Sequence, residues 1–186
     1  MFKEAPFSSV NGLIKMRVVA IVLGLVILAS DLATKWCVVQ TPWLRHYVVI
    51  DGFFKIHYVR NEGIAFGFFH SLQSQWKPVI LSALAILAVI IVLYYIWHTP
   101  PQQRLLFLSL GMLLGGILGN FVDRLVNRHV TDFIEVHWKN QFSWPTFNVA
   151  DAAITCGVLI VLYQTFTEKV DETSAAYPST TENGKS

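Results

Sequence analysis

Four aspartates, Asp31, Asp123, Asp132 and Asp151, stand at the ends of long apolar stretches or just beyond them. An unpaired charge there is costly, so each is a functional candidate by position alone. All four fall toward one face of the arrangement described below. A cluster of carboxylates on one face suits acid-base hydrolysis of an amide: one ionised to activate water, one protonated to polarise the carbonyl. Each also has a plainer reading. Asp31 and Lys35 have the i,i+4 spacing of a helical ion pair, which is the favoured reading. Asp123 and Arg124 fit an interfacial pair. Asn148 followed three residues later by Asp151 is equally the pattern of an N-cap with an acidic third position.

Other hydrolytic chemistries lack their parts. The six histidines, His46, His57, His70, His98, His129 and His137, show no His-Glu-x-x-His spacing, which argues against a zinc site. No Gly-x-Ser-x-Gly elbow is present.

The elements that must hold these carboxylates are membrane helices. Of 186 residues, 54% are hydrophobic and 14% charged, and the mean hydropathy is +0.50, outside the range of a soluble domain. Crossing ~30 Å of hydrocarbon takes roughly 20 apolar residues. Four stretches qualify: Val18 to Trp36, Trp76 to Trp97, Leu105 to Phe121 and Val149 to Phe166. Lys15 and Arg17 before the first resemble the start of a cleaved leader, but no Ala-x-Ala-like site follows and Asp31, Thr34 and Lys35 continue the helical register. A retained signal-anchor is expected, with Met16 as an alternative start. Gly111, Gly115 and Gly119 recur every four residues in the third stretch, a small-xxx-small face for close helix packing that places Asn120, Asp123 and Arg124 at its end.

Between the first two spans, Asp51-Gly52 separates Tyr47–Ile50 from Phe53–Val59, a hairpin signal. Phe54, Ile56 and Tyr58 alternate with Lys55, His57 and Val59, as a strand with one apolar face does, so a small sheet at the membrane surface is expected. His98–Arg104 is a short link that makes the second and third spans antiparallel. Residues 125–147 join the last two and carry Trp138 and Trp144, aromatics suited to the interface. Residues 168–186 are polar and read as a disordered tail. Gly52, Gly63 and Gly67 are turn glycines or hinges of the sheet.

A net charge of +2 without a basic run gives electrostatic nucleic-acid binding no support. Cys37 and Cys156 lie at or inside the spans, where small buried thiols are common and no disulfide is expected, and neither suggests a redox role. Both termini fall on one side of the membrane and the hairpin with 125–147 on the other; Lys15, Arg17 and Arg104 against Arg45, Lys55, Arg60, Arg124, Arg128 and Lys139 do not decide which side is inside.

Five ordered blocks carry a resemblance: Asp31-Leu-Ala-Thr-Lys35, Asn61-Glu-Gly-Ile-Ala-Phe66, Gly115-Gly-Ile-Leu-Gly-Asn-Phe-Val-Asp-Arg124, Val130-Thr-Asp-Phe133 and Phe147-Asn-Val-Ala-Asp151. Together they resemble the signature blocks of the lipoprotein signal peptidases (type II signal peptidases). Glu62-Gly63-Ile64 stands where that family often has Thr-Gly-Ala, and Thr131 where Val is usual. The resemblance implies an all-α membrane protein, a bundle of four transmembrane helices with a small extracytoplasmic β-sheet cradle in the bacterial inner membrane, and both termini cytoplasmic. In those terms 1–17 is a cytoplasmic segment and 18–167 the peptidase domain, with the cradle at about 43–70 and an outer loop at about 125–147. It further implies an aspartic peptidase that cuts diacylglyceryl-modified prolipoproteins just before the lipidated cysteine, with Asp132 and Asp151 catalytic. Asn61, Asn120, Arg124 and Asn148 then line the substrate pocket, Asp123 supports it, and Asp31 and Lys35 stand beside it. No metal or organic cofactor is implied, the partners are the precursor and membrane lipids, and the chain is taken as a monomer. A small transport or proton-conducting bundle is the competing class, and a non-cleaving lipoprotein scaffold a third.

Overall fold

The computed structural model describes residues 7–63, 76–138 and 142–176. Four helices, α1 (Phe7–Gln40), α2 (Lys77–His98), α3 (Arg104–Asn127) and α4 (Val149–Ala176), each contain a stretch long and apolar enough to cross a membrane. Their exposed side chains are apolar: Val18, Val22, Leu84, Leu87, Ile90, Leu159 and Leu162 point outward. Such a surface is a liability in water and the expected one in hydrocarbon.

The third helix is the hub. It packs on α1, α2 and α4, whereas α2 hardly meets α1. The small-residue face explains how. A methyl group at Gly111 would come 2.6 Å from the Ala20 carbonyl oxygen, and one at Gly115 would strike the Gly24 carbonyl. At Gly119 the obstacle is the Asp31 carboxylate, so the same close approach that seats α1 on α3 brings Asp31 into the site. Away from the sheet the core is Ala20, Val92, Ile96, Phe107, Leu110 and Leu114.

The hairpin forms as the Asp51-Gly52 pair predicts. β1 (His46–Ile50), entered through a short 3-10 turn at Pro42–Arg45, pairs antiparallel with β2 (Phe54–Asn61), and Gly52 sits in the left-handed region at φ 68°. The sheet is larger than the hairpin alone. The segment after α3 supplies β3 (Val130–Trp138) and β4 (Phe142–Ser143), giving an antiparallel order β1-β2-β3-β4. The alternation expected along β2 is not kept. Its register against β3 shifts between Ile56 and Val59, and the strand is half-buried over most of its length. A bulge of this kind re-aims the residues beyond it, here turning Asn61 toward Asp132.

Three boundaries differ from the sequence reading, α3 running on to Asn127 past the expected Phe121, and Cys37 and Cys156, expected as buried thiols, are exposed. Helix α1 begins at Phe7 and α4 continues to Ala176, so residues 168–176, read as disordered tail, are helical in backbone. That stretch contains neither Gly nor Pro, and its Glu, Lys and Ala residues favour helix without any apolar face. Gly67, residues 64–70 of the expected cradle and 177–186 of the tail lie outside the described residues.

Candidate active site

Five elements converge at the sheet-bearing end of the bundle. Helix α4 begins there, and its first turn is closed by Asn148 and Asp151. The Asp151 backbone N–H donates to Asn148 Oδ1 at 2.9 Å, and the Asn148 backbone N–H donates to Asp151 Oδ2 at 3.2 Å. This is a reciprocal capping box. The capping and functional readings of the pair do not compete, because the cap leaves the Asn148 side-chain amide free to reach elsewhere. Its Nδ2 donates to Asp132 Oδ1 at 2.8 Å and lies 3.1 Å from Asn120 Oδ1.

Asn148 therefore touches both carboxylates and is itself fully buried. Two further amides complete the frame. Asn61, at the end of β2, donates to Asp132 Oδ2 at 2.9 Å, and Asn120, on α3, donates to Asp151 Oδ1 at 2.8 Å. Each carboxylate is thus held by at least two donors, which fixes its rotamer.

Lys35 holds the far side of the frame. Its ammonium pairs with Asp31 at 2.7 Å and Asp123 at 3.4 Å and donates to Asn120 Oδ1 at 2.9 Å. The i,i+4 pair expected of Asp31 and Lys35 is formed, and it is buried. Asp31 also accepts the Ala150 backbone N–H at 2.9 Å, satisfying one of the orphan donors of α4. Asp123 turns away from Arg124. It accepts the Thr131 backbone N–H at 2.7 Å and the Asn127 amide at 2.8 Å, anchoring the start of β3 one residue before Asp132. The Arg124 guanidinium donates to the Asn120 carbonyl at 3.2 Å and lies in the field of Asp151, Asp132 and Asp123. No Asp123–Arg124 ion pair forms among the described residues.

The two central carboxylates are not equivalent. Asp132 is only 2% exposed, and its carboxyl is pushed up to about 6, chiefly by burial and further by the charge of Asp151; hydrogen bonds from Asn61 and Asn148 and the charge of Lys35 act the other way. Asp151 is more open and lies in the first turn of α4. Four carboxylates against Lys35 and Arg124 also leave the cluster short of positive charge, which favours retention of a proton. The arrangement sets a buried carboxyl that keeps its proton up to about pH 6 beside a more open carboxylate.

The sequence reading missed several participants. Asn127 lies four residues after Asp123 on α3, a spacing that signals the contact. Thr131 and Ala150 act through backbone N–H groups, for which no side-chain signal exists. A second polar cluster lies further along the sheet: Glu135 accepts from His57 at 2.6 Å and Ser143 at 3.0 Å, and lies 3.2 Å from the Lys55 ammonium and 3.1 Å from His137 Nε2. Burial opposes the charge on Glu135, but its donors overbalance that and hold the carboxyl below its ordinary value. Lys55 and Glu135 are cross-strand partners, so the cluster binds β2, β3 and β4 together.

Comparison with known proteins gives a consistent picture. The family described as signal peptidase (SPase) II matches residues 23–167. A lipoprotein signal peptidase of Francisella tularensis subsp. novicida is 35% identical over 159 residues, covering 85% of this chain and 98% of its own. One from Solibacter usitatus is 39% identical over 137 residues, covering 73% and 83%. Two solved structures, both described as a bacterial membrane enzyme studied by the in meso method, share the fold. One has a TM-score of 0.72 at 24% identity over 82% of this chain and 90% of its own; the other has 0.68 at 26% over 79% and 92%.

Proposed function

This chain belongs to the signal peptidase II family, a family of peptidases, and on that premise we propose that it removes the signal peptide from diacylglyceryl-modified bacterial prolipoproteins. The bond cut lies just before the lipidated cysteine, and Asp132 and Asp151 form the catalytic pair. The observation that carries this reading is the shared Asn148, which donates to Asp132 and closes a capping box with Asp151.

In this mechanism ionised Asp151 takes a proton from water as the oxygen adds to the scissile carbonyl. Protonated Asp132 donates to the carbonyl oxygen and stabilises the charge that develops there. The tetrahedral intermediate collapses when a proton held by the pair passes to the leaving nitrogen and the C–N bond breaks. The products are the signal peptide with a new carboxyl terminus and the lipidated cysteine with a free amine. Asn120 fixes Asp151, Asn61 fixes Asp132, and Arg124 offers a guanidinium to substrate carbonyls. Lys35, Asp31 and Asp123 hold the frame without entering the chemistry.

The sheet-bearing end faces outward from the bacterial inner membrane, with both termini cytoplasmic. A peptidase placed there leaves the acyl chains of its substrate in the bilayer. The transport reading has little support: between the carboxylates and the opposite end lie Ala20, Val92, Phe107, Leu110 and Leu114, an apolar plug with no described chain of titratable groups.

Mass analysis of the products from a purified diacylglyceryl-modified precursor tests the reaction. The expected product begins with the lipid-bearing cysteine. Cleavage at another bond, or equal cleavage of the unlipidated precursor, contradicts the assignment.

A further inference from the structure

Outside the carboxylate frame, a groove of about 410 Å³ lies between the first turns of α2 and the last turn of α3, at the sheet-bearing end. Its α2 wall is apolar. Val79, Ala83 and Ile86 line it, and Ile90, exposed and one turn further on, continues the same face into the lipid-facing surface. Its head is lined by polar residues, Arg124 and Arg128 one turn apart on α3 and Ser82 on the opposite helix.

Arg124 is surrounded by the field of three carboxylates, but Arg128 is not committed. Among the described residues its side chain has no hydrogen-bond or ion-pair partner, and neither does the Ser82 hydroxyl. Arg128 also occupies the left-handed cap of α3 at φ 65°, a position whose backbone suits glycine. A long cation is kept where the chain geometry asks for no side chain.

We propose that this groove binds a membrane phospholipid, its phosphodiester on Arg128 and Arg124 and an acyl chain along the Val79–Ile86–Ile90 face of α2. The guanidinium fork matches phosphate oxygens. A neutral diacylglyceryl group offers Arg128 ester carbonyls but no anionic oxygen to pair with its charge, so this lipid is distinct from the lipid on the proposed substrate. The apolar stripe selects a lipid over a free phosphate. The inference rests on the membrane reading of the four helices and on where Arg124 sits, not on which bond is cut. Binding is therefore read without cleavage.

The full chain, delipidated in detergent, is examined by native mass spectrometry with equimolar phosphatidylglycerol and diacylglycerol of identical acyl chains. One retained phosphatidylglycerol is expected, with diacylglycerol at least tenfold less. Arg128→Gly, which relieves the left-handed backbone while deleting the charge, cuts retention roughly tenfold, and Arg128→Lys keeps most of it. Ile86→Trp, which fills the groove and leaves the charges, also abolishes retention. Soluble glycerol 3-phosphate fails to compete. Equal retention of the two lipids, wild-type retention by folded Arg128→Gly or Ile86→Trp, or effective competition by glycerol 3-phosphate each overturns the proposal.

Discussion

The Asp31 carboxylate accepts the Ala150 backbone N–H at 2.9 Å, across 119 residues of sequence, so the first helix fixes where the fourth begins. Because Asp151 follows Ala150, an interaction that has no part in the chemistry sets the position of a proposed catalytic group. Asp31→Ala leaves that N–H unpaired and Lys35 with one buried partner fewer. Losing one member of a buried pair costs on the order of 3–5 kcal/mol. The variant is expected to unfold about 6–20 °C lower in a detergent thermal scan, with cleavage reduced even well below its transition.

Asp132 bears on the pH dependence. Its carboxyl, raised to about 6 by burial and by Asp151, is protonated below that pH and ionised above it. With the protonated form as the acid, kcat/KM falls about tenfold per unit above pH 6. An apolar signal helix that excludes water pushes the carboxyl higher still, so the kcat limb lies at higher pH than the kcat/KM limb. A kcat/KM that climbs through pH 6 and stays level above it makes Asp132 the base instead. The stability sign follows from the same shift. A carboxyl raised in the folded state favours folding most below its unfolded value of 3.8, and that contribution, about 3 kcal/mol, is lost as pH rises through 6. Thermal scans from pH 4 to pH 7 are expected to show this loss in the wild type and not in Asp132→Asn.

Asn148→Ala separates capping from catalysis. Loss of the cap costs about 1 kcal/mol, which leaves the bundle folded. Loss of the Nδ2 donor frees the Asp132 carboxylate and removes a hydrogen bond that favours its ionised form. The expected result is a fall in kcat of roughly a hundredfold with little change in KM, together with a kcat/KM limb moved to higher pH. An unchanged limb would show that Asn148 serves α4 only.

The parts of the fold that were legible in the sequence are those that lipid or local geometry dictates. A span must be apolar for about 20 residues, and Asp51-Gly52 has few alternatives to a tight turn, so the helices and the first hairpin could be read directly. The Asn148–Asp151 pair announced a helix start through its spacing. The second partner of β2 could not be read, because pairing with β3 joins Asn61 to Val130 across the whole of α2 and α3, and no local pattern encodes that register. The Glu135 cluster was hidden for the same reason: Lys55, His57 and Glu135 look like ordinary polar positions until the strands are adjacent. Helix α4 ran past its apolar stretch because a polar continuation of a formed helix needs only adequate propensity. As for the candidate site, its four aspartates stood out by position and the choice of Asp132 and Asp151 came from motif resemblance, whereas the amide frame that connects them is a tertiary property.

The most direct test of the central claim compares cleavage of a diacylglyceryl-modified prolipoprotein by the wild type, Asp132→Asn, Asp151→Asn and Asp123→Asn, each checked for folding by its thermal transition. The expected result is a loss of at least about a thousandfold in the first two variants. Asp123→Asn is expected to retain substantial activity at a lowered transition temperature, because Asp123 holds Lys35 and the Thr131 backbone and not the reacting atoms. Cleavage surviving in folded Asp132→Asn, with loss in folded Asp123→Asn, would contradict the assignment and move the catalytic role to Asp123.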